Sequence, residues 1–137
     1  MRRGESGFIT LWVLGLTVAL LFLGGLGVDL WRAIAVRREV SAMADAAASA
    51  GANGLNESAL RGGRLELDDA RVHQLAAEEL AEYPAARRLD AAAVTTNDTQ
   101  VTVVLREHVD FSLLGIFMGG DHFTVQFRAI AEPQEIP

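Results

Sequence analysis

The side chains that could do chemistry are few and far apart in this sequence. The histidines are His73, His108 and His122, and there are no cysteines. No His-x-x-x-His pair and no acidic calcium-binding loop accompanies them, so the usual ligand spacings for zinc and calcium are missing. His108 and Asp110 could approach the Asp121-His122 pair across a hairpin and hold a metal, but turn and strand-face roles are the simpler interpretation. The sequence therefore predicts no metal site.

Sequence signals for catalysis and for nucleic-acid binding are also missing. Ser41, Ser49 and Ser112 do not lie in a nucleophile elbow, and no glycine-rich phosphate loop follows a predicted strand. The chain has 18 acidic and 12 basic residues, a net charge of −6, and should repel a phosphate backbone. We expect no catalytic residue, no cofactor, no small-molecule substrate and no nucleic-acid partner. The protein is accordingly predicted not to be an enzyme.

The element that would position any site is a long apolar segment near the N-terminus. Residues 8–28 are 21 consecutive residues without a charged side chain. As a helix rising about 1.5 Å per residue, they cover roughly 30 Å, the thickness of a bilayer's hydrocarbon core. A removable signal peptide is the alternative, because Arg2 and Arg3 precede the segment and the Ala-Ile-Ala sequence at 33–35 could imitate a cleavage site. The segment is longer than the apolar region of a signal peptide, so we predict a retained transmembrane helix.

The helical pattern continues beyond this span. Residues 29–53 contain no proline and are rich in Ala, with Arg, Glu and Met also present, all of them strong helix formers. Small and apolar residues recur at helical spacing and form a narrow stripe suited to close packing against another helix. The stripe consists of Val36, Val40, Met43, Ala47 and Ala50. Gly51 and Gly54 are predicted to stop the helix, which should therefore run from about Phe8 to Ala52.

The rest of the chain has the pattern of a small mixed domain. We predict a loop with at most one helical turn over 55–66, a second helix from Asp68 or Asp69 to about Tyr83, and antiparallel strands over 92–96, 100–109 and 122–130. The pair Asn97-Asp98 suits the positive-φ positions of a tight hairpin turn. The predicted fold class is α+β, with a long N-terminal transmembrane helix extending out of the membrane, followed by a small domain with one helix packed on a three-stranded antiparallel sheet. The apolar segment Phe111 to Met118 is either part of the core or an exposed docking patch.

The N-terminal region resembles a known family. The residues that carry the resemblance are the opening RRGESG at 2–7, the glycine-containing apolar span, DLWR at 29–32, and RREVSAMADAAASAGA at 37–52. This pattern is similar to the N-terminal region of TadE/TadG-like proteins, the minor pilins and assembly proteins of the tight-adherence (Tad, Flp pilus) system. The resemblance covers about 50 residues, and its specific part is the Ala/Asp run.

One departure from the pilin pattern concerns the start of the span. Prepilins and pseudopilins cut by prepilin peptidase usually carry a Glu five residues after the cleavage glycine. That position is Trp12 after Gly7 and Ile9 after Gly4. A buried Glu is costly in a span unless it meets a partner such as a neighbour's terminal amine, so its absence suggests that no such partner exists. The chain therefore resembles TadG-like, uncleaved members more closely than processed pseudopilins.

The resemblance also implies a location. Positive charge is nearly balanced across the span, with Arg2 and Arg3 on one side and Arg32, Arg37 and Arg38 on the other, so charge alone does not set the orientation. The family implies a single-pass protein of the cytoplasmic membrane, with a short cytoplasmic tail over 1–7, a transmembrane helix over 8–28, an Ala-rich continuation over 29–54 and an extracytoplasmic domain over 55–137.

The implied function is that of a membrane-anchored structural or assembly component, similar to a minor pilin, of a Flp/Tad-type pilus or related secretion system. Its expected partners are the lipid bilayer and other subunits of the assembly, which it would contact through the N-terminal helix. In lipid, small residues that permit close helix approach drive such contacts. The residues predicted to pack in the assembly are Thr17, Gly24, Gly27, Asp29, Val36, Val40, Met43, Asp45, Ala47 and Ala50. The alternative function is a membrane-tethered ligand-binding module or enzyme.

Overall fold

The structure is a computed structural model that describes residues 5–97, 99–110 and 122–133. Its helices are α1 (Glu5–Ala52), α2 (Glu57–Arg61) and α3 (Asp69–Ala81), followed by a short 3-10 helix (Pro84–Arg88). Three strands complete the chain, β1 (Ala91–Thr96), β2 (Val101–Asp110) and β3 (His122–Ala131). The predicted fold class is confirmed. Residues 111–118, predicted to be core or a docking patch, lie outside the described residues.

Helix α1 is continuous over 48 residues, or about 72 Å at the usual rise per residue. No proline interrupts it, and its last residue, Ala52, lies between the two glycines identified in the sequence, Gly51 and Gly54. The amide N–H groups of Asn53 and Gly54 donate to the carbonyl oxygens of Ala50 and Gly51, at 3.1 and 2.8 Å, which closes the last turn. The predicted extent of this helix, from about Phe8 to Ala52, is therefore confirmed to within a turn.

The strands form an antiparallel sheet in the order β1-β2-β3, with β2 in the middle. Val103 at the centre of β2 pairs with Val94 on one side and Ala129 on the other. Residues 97–100 connect β1 to β2, and the side-chain Oδ1 of Asn97 accepts hydrogen bonds from the amides of Thr99 (3.1 Å) and Gln100 (2.7 Å). Asn97 does not have a positive φ, so that expectation is wrong. Asp98 lies outside the described residues.

The core of the domain lies between the sheet, the C-terminal half of α1, and α3. Helix α1 packs on β2 and β3 as well as on α3, whereas α3 meets the sheet mainly at β1. The helix that covers most of the sheet is thus the end of α1, and the second predicted helix lies beside it. The fully buried side chains include Val40, Met43, Ala47, Val72, Val101, Val103 and Leu105.

Strand β2 runs antiparallel to the C-terminal half of α1. At one end, Val101 lies beside Gly51, and at the other end Asp110 lines a cavity with Arg32. Ten residues of strand and the 24 residues from Asp29 to Ala52 of the helix span similar distances, about 33 and 36 Å. The sheet therefore reaches back to the residues that immediately follow the charge-free segment.

Helix α3 lies close against the backbone at Gly54, two residues after the end of α1. A Cβ atom at this position would lie 2.8 Å from the backbone nitrogen of Val72. The turn that brings α3 there is held by the bridge between Leu55 and Leu67 and by the amide of Asp68, which donates to the Gly54 carbonyl at 2.8 Å. Asp68 then caps α3, its Oδ1 accepting from the amide of Arg71 at 3.1 Å. Glycine at 54 is thus required by close backbone approach.

We predict that Gly54→Ala destabilises the domain by about 1–3 kcal/mol, because the added methyl group must displace the backbone of α3. The measurement is amide hydrogen exchange of α3 and the sheet in the detergent-solubilised chain, which should become faster. Gly27→Ala is the control, since no atom lies within 4 Å of a Cβ built there. Equal protection in both variants would show that α3 does not pack at the described distance.

Candidate assembly surface and its polar cluster

The N-terminal half of α1 has no protein covering it. Helix α1 is long and apolar enough to cross a membrane, and none of its most apolar stretch is buried within the chain. The side chains of Leu11, Leu14 and Leu21 are each more than 60% exposed. The hydroxyl of Thr17 donates to the carbonyl of Val13 at 2.8 Å, so this polar group is satisfied inside the helix. Such a surface needs an apolar solvent, and α1 is a candidate membrane anchor.

The predicted assembly residues fall into two groups, and the first group faces this chain's own domain. Val40, Met43 and Ala47 are completely buried against the sheet and α3. Asp29 lies on the same side of the helix, nearer its N-terminus, and is 2% exposed. Val36 and Ala50 are half-buried on this side. The packing of the stripe against another helix is therefore intramolecular, and these side chains are not presented to a neighbouring subunit in this structure.

The second group faces outward. Gly24 and Gly27 are exposed, and so is Asp45, which lies 18 residues, or five full turns, after Gly27. Arg38 lies seven residues before Asp45 and therefore on nearly the same side of the helix. The Asp45 carboxylate accepts a weak hydrogen bond from the Ser41 hydroxyl at 3.4 Å. Together these residues form a strip along the side of α1 that faces away from the core, which we call the outward strip (Gly24, Gly27, Arg38, Asp45).

The two groups cannot form one continuous packing surface. Gly27 and Ala47 are 20 residues apart, which places them on roughly opposite sides of a regular helix at about 100° per residue. A neighbour that packs on the glycines of the span would meet Arg38 and Asp45 further along α1. On α1 the span glycines therefore lead into Arg38 and Asp45, and the Val36–Ala50 stripe lies on the other side. The role of each residue in assembly stays a prediction.

An ion-pair cluster fixes the 3-10 helix between α1 and β2; Glu107 is its buried member, while Arg88 and Glu39 are about half exposed. The guanidinium of Arg88 donates from Nη2 to Glu39 Oε2 at 2.6 Å and from Nε to Glu107 Oε1 at 3.1 Å. The hydrogen bond to Glu107 is the main reason that the pKa of Arg88 is raised. Glu107 lies on the inward face of β2, and its side chain is only 4% exposed. Its second oxygen, Oε2, is buried with no hydrogen-bond partner among the described residues.

This cluster was not anticipated from the sequence. The alternation of β2 places Val101, Val103, Leu105 and Val109 inside, and position 107 belongs to the same series. The sequence does contain one signal for such a cluster, a glutamate at an inward position of a strand, because a buried carboxylate requires a partner. Its partner Arg88 is 19 residues away, and Arg88 is 49 residues from Glu39, so sequence spacing could not identify the set.

Two histidines have hydrogen-bond partners that explain why their pKa values are raised. The ring of His73 lies 2.9 Å from the carbonyl oxygen of Asp69 and 3.0 Å from that of Val94, so both ring nitrogens can donate only when the imidazole is protonated. The bond to the Asp69 backbone is the largest cause of its raised pKa. His108 lies 2.7 Å from Asp90 Oδ1, and that hydrogen bond raises the pKa of His108.

These contacts bear on the possible metal site as well. Within the described ranges, no group of three or more His, Asp or Glu side chains is arranged to hold a metal ion. His73 and His108 lie on different elements and hydrogen-bond to different partners. Asp121 and the His122 side chain lie outside the described residues.

The architecture is that of a small α+β domain built on the end of a long helix whose other half is an apolar anchor. A comparison with known families finds a match for this helix. Residues 7–54 match the Tad family, described as Flp pilus-assembly TadE/G-like. The match covers about a third of the chain and ends two residues after α1. No curated protein and no solved structure gives a significant match. The resemblance seen in the sequence is thus confirmed for this segment.

Replacing Arg88 tests the ion-pair cluster. Arg88→Met should lower the free energy of unfolding by about 1–3 kcal/mol, because it leaves the buried Glu107 carboxylate without a cation. The double variant with Glu107→Leu should recover most of the loss, since a matched apolar pair removes the buried charge. Denaturant unfolding of the solubilised chain measures both effects.

Arg71→Met is the control for this experiment, because Arg71 pairs at 3.4 Å with an exposed carboxylate, that of Glu57. A change of no more than about 0.5 kcal/mol is expected there. If Arg88→Met behaves like Arg71→Met, the carboxylate of Glu107 is not buried in solution.

His73 should make the contact between α3 and β1 depend on pH. Because its pKa is raised in the folded state, its stabilising effect is present below the unfolded value near 6.5 and is lost as pH rises through the folded pKa. Hydrogen exchange of β1 should therefore speed up, beyond the intrinsic change, as pH rises from below 6.5 through the raised pKa of His73. His73→Gln should remove this effect, whereas His108→Gln should leave it at β1. NMR titration showing an ordinary pKa for His73 would contradict the prediction.

Proposed function

We propose that this protein is a membrane-anchored structural or assembly component, similar to a minor pilin, of a Flp/Tad-type pilus or related secretion system. The observation that carries the proposal is the division of α1, the helix matched by the Tad family. One side of its C-terminal half forms the core of the domain, while its span and the outward strip remain uncovered. A helix that is buried on one side and open along the other can hold a domain and bind a neighbour at once.

The proposed topology places residues 1–7 in the cytoplasm, 8–28 in the cytoplasmic membrane, and the Ala-rich 29–54 and the domain 55–137 outside it. The length of the exposed apolar stretch supports the span. Trp31 is 74% exposed just after the charge-free segment, where an aromatic ring can lie at the membrane interface. The orientation rests on the family resemblance.

The proposed mechanism is lateral packing of helices. Lipid offers no hydrophobic drive for helix pairing, so close approach at Gly24 and Gly27 would supply van der Waals contact. Beyond the membrane, the same side of α1 presents Arg38 and Asp45. Two parallel helices offset by seven residues, about 10 Å, would place Asp45 of one opposite Arg38 of the other. Opposite charges on matching sides would set the register and orientation of the partners.

The proposed role involves no catalysis and no cofactor. Within the described ranges no cluster is arranged to hold a metal, and the ion pairs of Arg88 with Glu39 and Glu107, and of His108 with Asp90, link distant parts of the domain. Because the span has no acidic residue at the position that pseudopilins use, we also propose that the N-terminal segment is retained, as in TadG-like members.

Enlarging the span glycines should weaken assembly without harming insertion. Gly24→Leu and Gly27→Leu should lower co-purification with the other assembly subunits by about tenfold, because a bulky side chain holds the backbones apart, while Leu is favourable in a span. Gly15→Leu is the matched control, since Gly15 is also uncovered but lies on the opposite side of the helix from Gly24. Equal losses or no loss in all three would show that this side of α1 faces lipid.

Replacing Asp45 tests the polar part of the outward strip. If the carboxylate of Asp45 pairs with a neighbour, Asp45→Ala should reduce co-purification or pilus formation several-fold. This corresponds to a loss of about 1 kcal/mol of binding free energy, as for an exposed ion pair at the edge of an interface. Glu78→Ala is the control, because Glu78 is likewise an exposed helix carboxylate that accepts one hydrogen bond from the residue four before it. In copies of one chain, the swap Asp45→Arg with Arg38→Asp should restore assembly. Full assembly of Asp45→Ala would show that the extramembrane part of α1 is only a solvated support.

A further inference from the structure

Two adjacent cavities form a groove between α1 and β3, which we call the α1–β3 groove. Each cavity has a volume of about 470 Å³, and Ile34 and Arg37 line both of them. On the strand side, residues 124–127 line the groove, and Phe127 among them is half-buried. β3 is the last strand of the sheet in the described part of the chain, so the groove lies beside an open edge.

The opposite edge of the sheet is covered. Helix α3 lies along β1, where the ring of His73 is 3.0 Å from the carbonyl oxygen of Val94 and the hydroxyl of Thr96 donates to Asp69 at 2.5 Å. β3 has no further strand beside it among the described residues. An open edge next to a partly apolar groove is a surface on which another chain can pack.

The groove is continuous with the outward strip. Arg38 and Asp45 belong to both. Gly27 lies seven residues before Ile34, so at about 100° per residue the two lie within about 20° of the same side of α1. A helix that packs on α1 at Gly27 would therefore enter the groove at Ile34 beyond the membrane.

The charges of the groove determine the register in which a second copy of α1 fits. The charged residues of its lining are Arg37, Arg38 and Asp45. Two parallel copies in register would place each arginine opposite its own counterpart, which is unfavourable. When the second copy is displaced outward by seven residues, about 10 Å, its Arg38 comes level with Asp45 of the first. The two arginines of the first copy then lie level with residues 30 and 31 of the second and meet no like charge.

The same displacement fills the apolar part of the groove. Phe127 pairs with Leu105. Leu105 is four residues from Val101, which lies beside Gly51. Four residues of strand cover about 13 Å, the length of about nine residues of helix, so Phe127 lies level with about residue 42 of α1. Ile34 of the displaced copy lies level with residue 41, and this side chain is 42% exposed and able to pack on Phe127.

We propose that the α1–β3 groove seats α1 of a second copy of this chain, displaced outward by seven residues, with Ile34 of the second copy on Phe127 and its Arg38 paired with Asp45. The inference rests on the proposed function and deepens it, because it makes β3 part of the contact between subunits. Two copies at equal depth in one bilayer cannot adopt this displacement, so the contact forms when the second copy has moved outward. The contact joins two different surfaces and can repeat from copy to copy.

Cross-linking between two chains tests the register. The protein contains no cysteine, so each single substitution introduces the only thiol of its chain. Chains with Phe127→Cys are co-expressed with differently tagged chains carrying Ile34→Cys or Ser41→Cys, together with the other assembly subunits, and treated with a short thiol-specific cross-linker. We expect Phe127→Cys to link to Ile34→Cys about tenfold more than to Ser41→Cys, because the two positions lie about 10 Å apart along α1. The different tags exclude links within one chain.

A substitution on the helix tests the apolar contact without changing the core. Ile34→Gln should lower co-purification of two differently tagged copies about tenfold, as expected when a central apolar side chain of an interface is lost. Ile130→Gln is the matched control, because Ile130 is also an exposed apolar residue, 59% exposed, but lies on the other face of β3 from Phe127. Equal co-purification in the two variants would overturn the proposal.

The outcomes separate this inference from the proposed function. Preferential linking to Ser41→Cys overturns the displaced register, and linking of Phe127→Cys only to a different assembly subunit overturns the second copy as the occupant. Absence of any link from Phe127→Cys, in chains that still co-purify with the assembly, overturns the groove as a contact. Failure of the proposed function would instead show as loss of co-purification of the wild-type chain with all other assembly subunits, which linking between copies does not measure.

Discussion

Burial of one side of the last turns of α1 is the interaction on which the rest of the domain depends. Val40, Met43 and Ala47 have no exposed surface, and they meet both α3 and the sheet. The sheet has one inner face and α3 covers mainly its β1 edge, so without α1 most of that face would be open to water. The helix whose N-terminal half is the candidate membrane anchor is for this reason also the main element of the core.

The Ala/Asp run that carries the family resemblance has a structural explanation in this chain. Ala44, Ala47 and Ala48 lie at the buried side of α1, where small side chains let the helix approach the sheet closely. Asp45 falls between them in sequence and on the other side in space. A single run therefore combines an inward surface that folds the domain with an outward one available to partners.

Most of the elements could be predicted from the sequence, because each depends on local signals. The 3.6-residue periodicity of α1 and α3, the Asp68 cap and the alternation of β2 and β3 act within a few residues of one another. The contacts that were missed link distant positions. Nothing local indicates that Arg88 joins Glu39 to Glu107, or that His73 reaches the Val94 carbonyl. The inward or outward direction of each α1 residue likewise depends on what packs against it, which spacing alone does not specify.

The unbroken course of α1 also has a mechanical consequence. If the candidate anchor spans a bilayer, the span and the domain share one continuous helix, so the domain would rotate and tilt together with the span. Transmembrane helices commonly tilt by about 20°, and over the roughly 36 Å from Asp29 to Ala52 such a tilt would displace the far end of the domain by about 12 Å. Any change in bilayer thickness or in the crossing angle of neighbouring spans would be transmitted outward as a lever movement of the whole domain.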